Sequence, residues 1–243
     1  MGDCLAVTSG KGGVGKSSLS IGLAFAFNAM GKSVLLVDMD EGLRCLDLML
    51  GVDKQTVFDL SDALISERIE DSVYPCESKD GLYLMPAPSK VGGVEPERFS
   101  LLAERLKDMF DIVIFDFPAG IDVPLYKALP SKTSFLTIAV PDPVSIRDAS
   151  AVGAELAEAG IATRLIINRF IYKQSRKFKC KNLDEIIDTA SIRLIGIVPE
   201  SEEITLLSLR HSLSKKGRAM AALMRIAKRI NGEGTLLPKL KKI

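Results

Sequence analysis

The sequence predicts a single three-layer α/β domain, a mostly parallel twisted sheet with helices on both faces. Three observations carry this. Short aliphatic runs such as Ser33–Asp38 (SVLLVD), Asp111–Phe115 (DIVIF) and Leu194–Val198 (LIGIV) alternate with longer stretches of helical spacing. Polar residues, among them Asp38, Asp116 and Asn168, stand where such runs end, and ligand-binding groups collect at the carboxyl ends of parallel strands. A glycine-rich stretch, Ser9–Ser18 (SGKGGVGKSS), lies between a strand and a helix. The 243 residues are 47% hydrophobic and 26% charged, enough chain for one sizeable core and a composition that excludes the disordered class.

Asp3–Thr8 (DCLAVT) reads as a buried strand and Ser18–Met30 as a helix stopped by Gly31. Between them Gly10–Ser17 fits the phosphate-binding pattern G-x-x-x-x-G-K-[ST]. Gly10, Lys11, Gly12, Gly13, Val14 and Gly15 would present backbone N–H groups to phosphate oxygens, and the helix beginning near Ser18 adds the positive end of its dipole. Lys16 can neutralise β- and γ-phosphates, and the Ser17 hydroxyl can ligate Mg²⁺.

A second lysine, Lys11, follows the first glycine and makes the loop KGGVGKS. With this variant the chain resembles the deviant Walker A ATPases, the family of MinD, ParA, the flagellar regulator FlhG and the nitrogenase iron protein. The resemblance implies ATP with Mg²⁺, and a dimer in which Lys11 reaches the partner's phosphates; the bland alternative is a solvated loop cation. Cys4, Cys45, Cys76 and Cys180 are widely spaced with no C-x-x-C pair. That spacing argues against zinc and iron–sulfur sites, and within the family against the iron–sulfur branches. It fits a reduced cytosol. No transmembrane helix and no leader are expected, because no apolar run is long enough to span a bilayer and a strand opens the chain.

Ser33–Asp38 ends in Asp38-Met-Asp40. Two carboxylates facing a triphosphate repel it unless a cation bridges them, which makes Asp38 a metal-water contact and Asp40 a group orienting the attacking water. A turn-capping pair is the alternative. Gly42–Gly51 (GLRCLDLMLG) resembles switch I of the family's MinD branch, which implies a switch and dimer-interface role for Arg44 and Asp47. Cys45 stands where that branch carries Asn, and Glu41 adds an acid.

Val57–Ile65 has helical spacing, Gly81–Met85 is a short strand running into Pro86-Ala-Pro88, and Pro96–Phe110 is an amphipathic helix. Asp111–Phe115 presents Asp116, a carboxylate suited to Mg²⁺ through water. Asp116-Phe-Pro-Ala-Gly120 resembles the family's switch II, which implies that Pro118 and Gly120 change backbone state when the γ-phosphate leaves. Phe117 is larger than the family's usual residue. Thr133–Val140 is a strand, and Val144–Gly160 is a helix carrying Arg147 and Asp148. By resemblance these two contribute to the dimer and partner surface; a plain ion pair is the alternative.

Ala162–Ile167 delivers Asn168 and Arg169, and Asn168 can pair both amide groups with an adenine edge. The backbone after Leu194–Val198, at Pro199, completes the base pocket by resemblance. Arg169–Lys181 holds six basic residues, no acid and three aromatics, and reads as a solvated loop or a nucleic-acid contact. His211 is expected on a helix surface.

Net charge is +1, yet Ser214–Ile243 carries nine Lys and Arg against one Glu. Lys215–Asn231 is a helix with Met220, Leu223, Ala227 and Ile230 on one stripe. Residues 1–231 thus form the nucleotide-binding domain and residues 232–243 a flexible tail. In that tail Leu236, Leu237, Leu240 and Ile243 share a helical face, with Lys239, Lys241 and Lys242 on the rest. A short basic amphipathic segment suits anionic membrane lipids, and pairing two tails on a dimer strengthens attachment.

The resemblance covers nearly the whole chain. It implies a cytoplasmic ATPase, peripheral on the inner membrane face, that helps place the division septum. MinC and MinE are the implied partners. A ParA-like DNA-segregation ATPase, an FlhG-like regulator of flagellar number and a scaffold without turnover remain open.

Overall fold

The computed structural model of the chain describes residues 2–66, 68–77, 79–172, 183–214 and 216–238. Eight strands form one sheet: β1 Asp3–Ser9, β2 Val34–Asp38, β3 Tyr74–Pro75, β4 Leu82–Met85, β5 Ile112–Ala119, β6 Ser134–Ala139, β7 Thr163–Phe170 and β8 Leu194–Pro199. Their order is β3-β4-β2-β5-β1-β6-β7-β8. Every pairing is parallel except the two-residue β3, which runs antiparallel on β4. The predicted strands are present, with β5 running four residues and β7 three residues further than expected.

Alternation along β1 decides the layers. Leu5 and Val7 join one core with the helix α1 (Lys16–Ala29) and the C-terminal helix Arg218–Ile230. Cys4 and Ala6 point the other way, into a core with α4 (Pro96–Met109). A third cluster joins α6 (Pro143–Glu158) to Leu165 and Ile167 of β7. Between β2 and β4 lie the short helices α2 (Leu46–Leu50) and α3 (Leu60–Ile65), and α5 (Val123–Ala128) follows β5.

Three expectations change. The helix expected over Val57–Ile65 begins only at Leu60. Asp59 is extended and caps α3, accepting from Ser61 N at 2.9 Å, while Asp62 returns to Asp59 N at 2.8 Å. The N–H groups of Val57 and Phe58 are held instead by the Tyr74 hydroxyl, each at 2.8 Å. The C-terminal helix starts at Arg218, after Gly217, and buries Met220, Leu223 and Ala227 against α1 and β8. His211 is not on a helix face. It ends the helix Leu207–Arg210 at φ 48°, with Nδ1 3.0 Å from the Met49 carbonyl, and fastens that corner to α2.

Among the described residues no helix is long and apolar enough to cross a membrane. In the tail, Leu236 and Leu237 are exposed and not helical. Lys239, Leu240, Lys241, Lys242 and Ile243, like Lys173–Lys181 of the basic loop and Cys180 within it, lie outside the described residues.

A candidate nucleotide site at the carboxyl ends of the strands

The glycine-rich loop leaves β1 and turns directly into α1. Gly15, immediately before the helix, has φ 87°, and a Cβ there would lie 2.5 Å from Asn168 Nδ2. Gly10 touches the backbone of α6: its Cβ would meet the Asp148 carbonyl oxygen at 2.5 Å. The loop is therefore clamped between two distant parts of the chain, and both contacts need the missing side chain. No acidic residue occupies the first turn of α1, so its dipole end is free for an anion.

Two recesses meet at this loop. One, of about 200 Å³, is lined by Lys11, Gly12, Gly13, Lys16, Ser17 and Asp40, among others. The second, of about 130 Å³, is lined by Asn168, Arg169, Pro199, Glu200 and Ser201. They share Gly15 and Ser18. The predicted phosphate residues and the predicted base residues thus face one groove. Its shape follows from a bulge in β7. The β7–β8 register shifts between Ile167 and Phe170, and Arg169 adopts φ 54°. Asn168 is buried there and donates Nδ2 to the Val14 carbonyl at 2.8 Å. That donor is committed to the loop, so not all of the amide is open to a base.

Lys16 is nearly buried. Its Nζ lies 3.1 Å from Asp116 Oδ1 and 3.5 Å from Ser17 Oγ. Ser20 Oγ also donates to Asp116 Oδ1, at 2.7 Å. Asp116 Oδ2 is buried with no hydrogen-bond partner among the described residues. An orphaned carboxylate oxygen is costly, and a positive charge already stands between Asp116 and the Ser17 hydroxyl. This donor set fits Mg²⁺. A hard cation is usually held by one or two protein oxygens, with water and phosphate supplying the rest. Accordingly, no group of three His, Cys, Asp or Glu able to cage a metal occurs among the described residues.

Asp38 pairs in register with Asp116 on the neighbouring strand. Its Oδ1 accepts from Asp40 N at 3.0 Å, and its Oδ2 from Cys45 N and Leu46 N, each at 3.2 Å. Burial, and then the Asp116 charge, push its pKa up to about 6 against the pull of these bonds. Asp38 is thus engaged with the start of α2, and the turn-capping alternative describes its present contacts. Cys45 Sγ sits 3.7 Å from Ser17 Oγ, and burial, with Asp38 nearby, pushes its thiol up to about 11.

The switch-like segments are tied to the same frame. Arg44 donates to Asp47 at 3.1 Å, Thr56 at 2.8 Å and Ser89 at 3.1 Å, closing the segment on itself. Pro118 lies within β5, and Gly120, at φ 111°, donates its N–H to the Ser9 carbonyl at 2.9 Å. Phe117 is absorbed in the core, edge-on to Tyr126 at 4.7 Å. Arg147 and Asp148 form a 3.5 Å ion pair beside the loop.

Sequence reasoning missed Ser20, Glu200, Ser201, Ile204 and Thr205, which the groove recruits. The signal for Ser20 was its place one turn after Lys16, on the same helix face. For the others it was their position just past the last strand's carboxyl end.

A phosphate-type loop on a parallel sheet, with a lysine and a strand-end aspartate converging on it, defines a P-loop nucleotide-binding protein. Residues 5–214 match the family model described as the CobQ/CobB/MinD/ParA nucleotide binding domain, and the chain belongs to that family. It is 35% identical to the septum site-determining protein MinD of Bacillus subtilis, covering 99% of this chain and 93% of the relative. Among solved structures it is similar to the MinC:MinD cell division protein complex of Aquifex aeolicus, with TM-score 0.87, 29% identity and coverage of 98% of this chain and 99% of that chain. It is also similar to the septum site-determining MinD of Pyrococcus horikoshii complexed with Mg-ADP, with TM-score 0.81, 25% identity and coverage of 95% and 96%.

Proposed function

We propose that this chain is an ATP hydrolase of the MinD kind, acting in cell division. One observation carries the reading: Lys16, Ser17 and the orphaned Oδ2 of Asp116 converge beside a recess built by Asn168, Arg169 and Pro199. Likeness over the whole chain to MinD proteins, one of them complexed with Mg-ADP, supports it.

Backbone N–H groups of Gly10 to Gly15 and the Lys16 ammonium bind the phosphates. Mg²⁺ would be held by Ser17 and Asp116 and would offset the negative charge of the phosphates. Lys16 then turns from Asp116 to phosphate, exchanging one anion for another. Asp40, on the rim of the phosphate recess, orients the attacking water. Asp38, holding the start of α2, carries the nucleotide state to the Gly42–Gly51 segment.

The finer reading follows from the family. ATP closes two copies face to face, with Lys11 entering the partner's site and Arg44, Asp47, Arg147 and Asp148 near the interface. The paired tails, Leu236 to Ile243, seat on anionic membrane lipids at the cytoplasmic face. MinC is the partner that the similar Aquifex complex points to, and a MinE-like protein would stimulate turnover. The test is ATP turnover with Mg²⁺ alongside sedimentation of the full chain in ATP and ADP. Slow turnover with an ATP-only dimer is expected; failure to bind ATP overturns the reading.

A further inference from the structure

The amino ends of β6, β7 and β8, opposite the nucleotide groove, hold two adjoining cavities of about 430 and 340 Å³. Arg164, Arg193 and Ile195 line both. Arg164 is the second residue of β7 and Arg193 directly precedes β8; Leu165 N donates to the Arg193 carbonyl at 2.9 Å, so the two residues are neighbours across the ladder. Both arginines are exposed, and neither guanidinium has a hydrogen-bond or ion-pair partner among the described residues. Among the described residues the one acid lining these cavities, Glu233, is countered by Lys228 at 3.9 Å. Two unpaired guanidinium groups side by side repel each other until an anion bridges them.

We propose that Arg164 and Arg193 bind the phosphate of an anionic phospholipid headgroup. This rests on the membrane-attaching tail proposed above and deepens it: the domain itself contacts the bilayer and sets its own orientation there. The tail leaves from this same rim. The Arg229 guanidinium donates to the Thr235 carbonyl at 2.9 and 2.7 Å and to the Ile195 carbonyl, and Leu237 lines the second cavity. A tail inserted in a bilayer therefore brings the arginine pair to the headgroup layer. The apolar walls, Phe135, Leu136 and Ile230, suit the glycerol and upper acyl carbons of a lipid. Charge selects this occupant over the tail itself, since Lys239, Lys241 and Lys242 share the sign of the arginines. A compact recess with cations beside apolar side chains also fits a single headgroup better than the extended phosphate track of a nucleic acid.

The experiment is vesicle flotation of the full chain with ATP and Mg²⁺, on phosphatidylglycerol-containing and on phosphatidylcholine-only vesicles. Each basic residue near an anionic surface is worth roughly five-fold, so Arg164→Gln/Arg193→Gln is expected to lose about thirty-fold in affinity for the anionic vesicles. Its ATP affinity should be unchanged, because neither residue touches the nucleotide groove. Wild-type binding with an unaffected double variant overturns the inference and leaves the tail reading standing. No wild-type binding overturns both. Arginine side-chain NMR signals are expected to shift with dihexanoyl-phosphatidylglycerol; an equal shift with inorganic phosphate at matched concentration marks a free-anion site and overturns the lipid assignment. Duplex DNA binding that the double variant loses while vesicle binding is unchanged also overturns it, in favour of nucleic acid.

Discussion

Lys16 and Asp116, one hundred residues apart, form a buried ion pair, with Nζ 3.1 Å from Oδ1 and the aspartate side chain fully out of solvent. Removing one partner of such a pair strands the other charge. Lys16→Met is expected to destabilise the nucleotide-free chain by about 3 kcal/mol and to abolish tight ATP binding. Adding Asp116→Asn to that variant should recover most of the stability and none of the ATP affinity. Thermal melts and calorimetric ATP titration of the single and double variants read both.

Asp40 lines the phosphate recess while its backbone N–H is held by Asp38. Asp40→Ala should therefore leave ATP affinity within about two-fold and slow hydrolysis by roughly 10²-fold or more, the usual worth of a positioned acid–base group. Single-turnover phosphate release measures it, and unchanged turnover would sink the assignment.

Gly15 and Asn168 are in contact only because Gly15 lacks a Cβ. Gly15→Ala should strain φ 87° and push Asn168 off the Val14 carbonyl. Asn168→Ala breaks the same tie without backbone strain, removing a buried hydrogen bond worth on the order of 1 kcal/mol. Both variants are expected to weaken nucleotide binding, Gly15→Ala more strongly, and amide hydrogen exchange across residues 10–16 should rise in each.

Asp59 carries a pH signature. Burial pushes its carboxyl up, but hydrogen bonds from the Ser61 hydroxyl and N–H and from Ser89 outweigh that and hold it below 3.8. A depressed folded value means the stabilisation is present above 3.8 and disappears as pH falls through the lower folded value. Asp59→Ala is expected to cost about 1 kcal/mol at pH 7, as for a lost helix cap. The difference from wild type should shrink in acid below the ordinary carboxylate range, in denaturant titrations at a series of pH values.

Much of this was legible because it is local in sequence. β1, the glycine loop and α1 are contiguous, and an aliphatic run ending in Asp116 is readable alone. What was not legible depends on distant contacts. The bulge at Arg169 arises only when β7 pairs with β8, so no local pattern announces that Asn168 will hold Val14. The spacing of Val57–Ile65 is helical, but Asp59 takes an extended conformation and caps the helix only at Leu60, which periodicity does not announce. Asp38 reads as a metal-side carboxylate until the fold brings the N–H groups of Cys45 and Leu46 to it. Arg164 and Arg193 lie twenty-nine positions apart and meet only across a ladder.

In the function proposed above, ATP closes two copies through Lys11 and so commits the chain to a membrane. Co-sedimentation of the full chain with anionic vesicles in ATP and in ADP, for wild type and Lys11→Ala, checks this. Strong pelleting of wild type with ATP, little with ADP, and ADP-like behaviour of Lys11→Ala in either nucleotide are expected. Equal pelleting of wild type in ATP and ADP, or of Lys11→Ala and wild type in ATP, would contradict it.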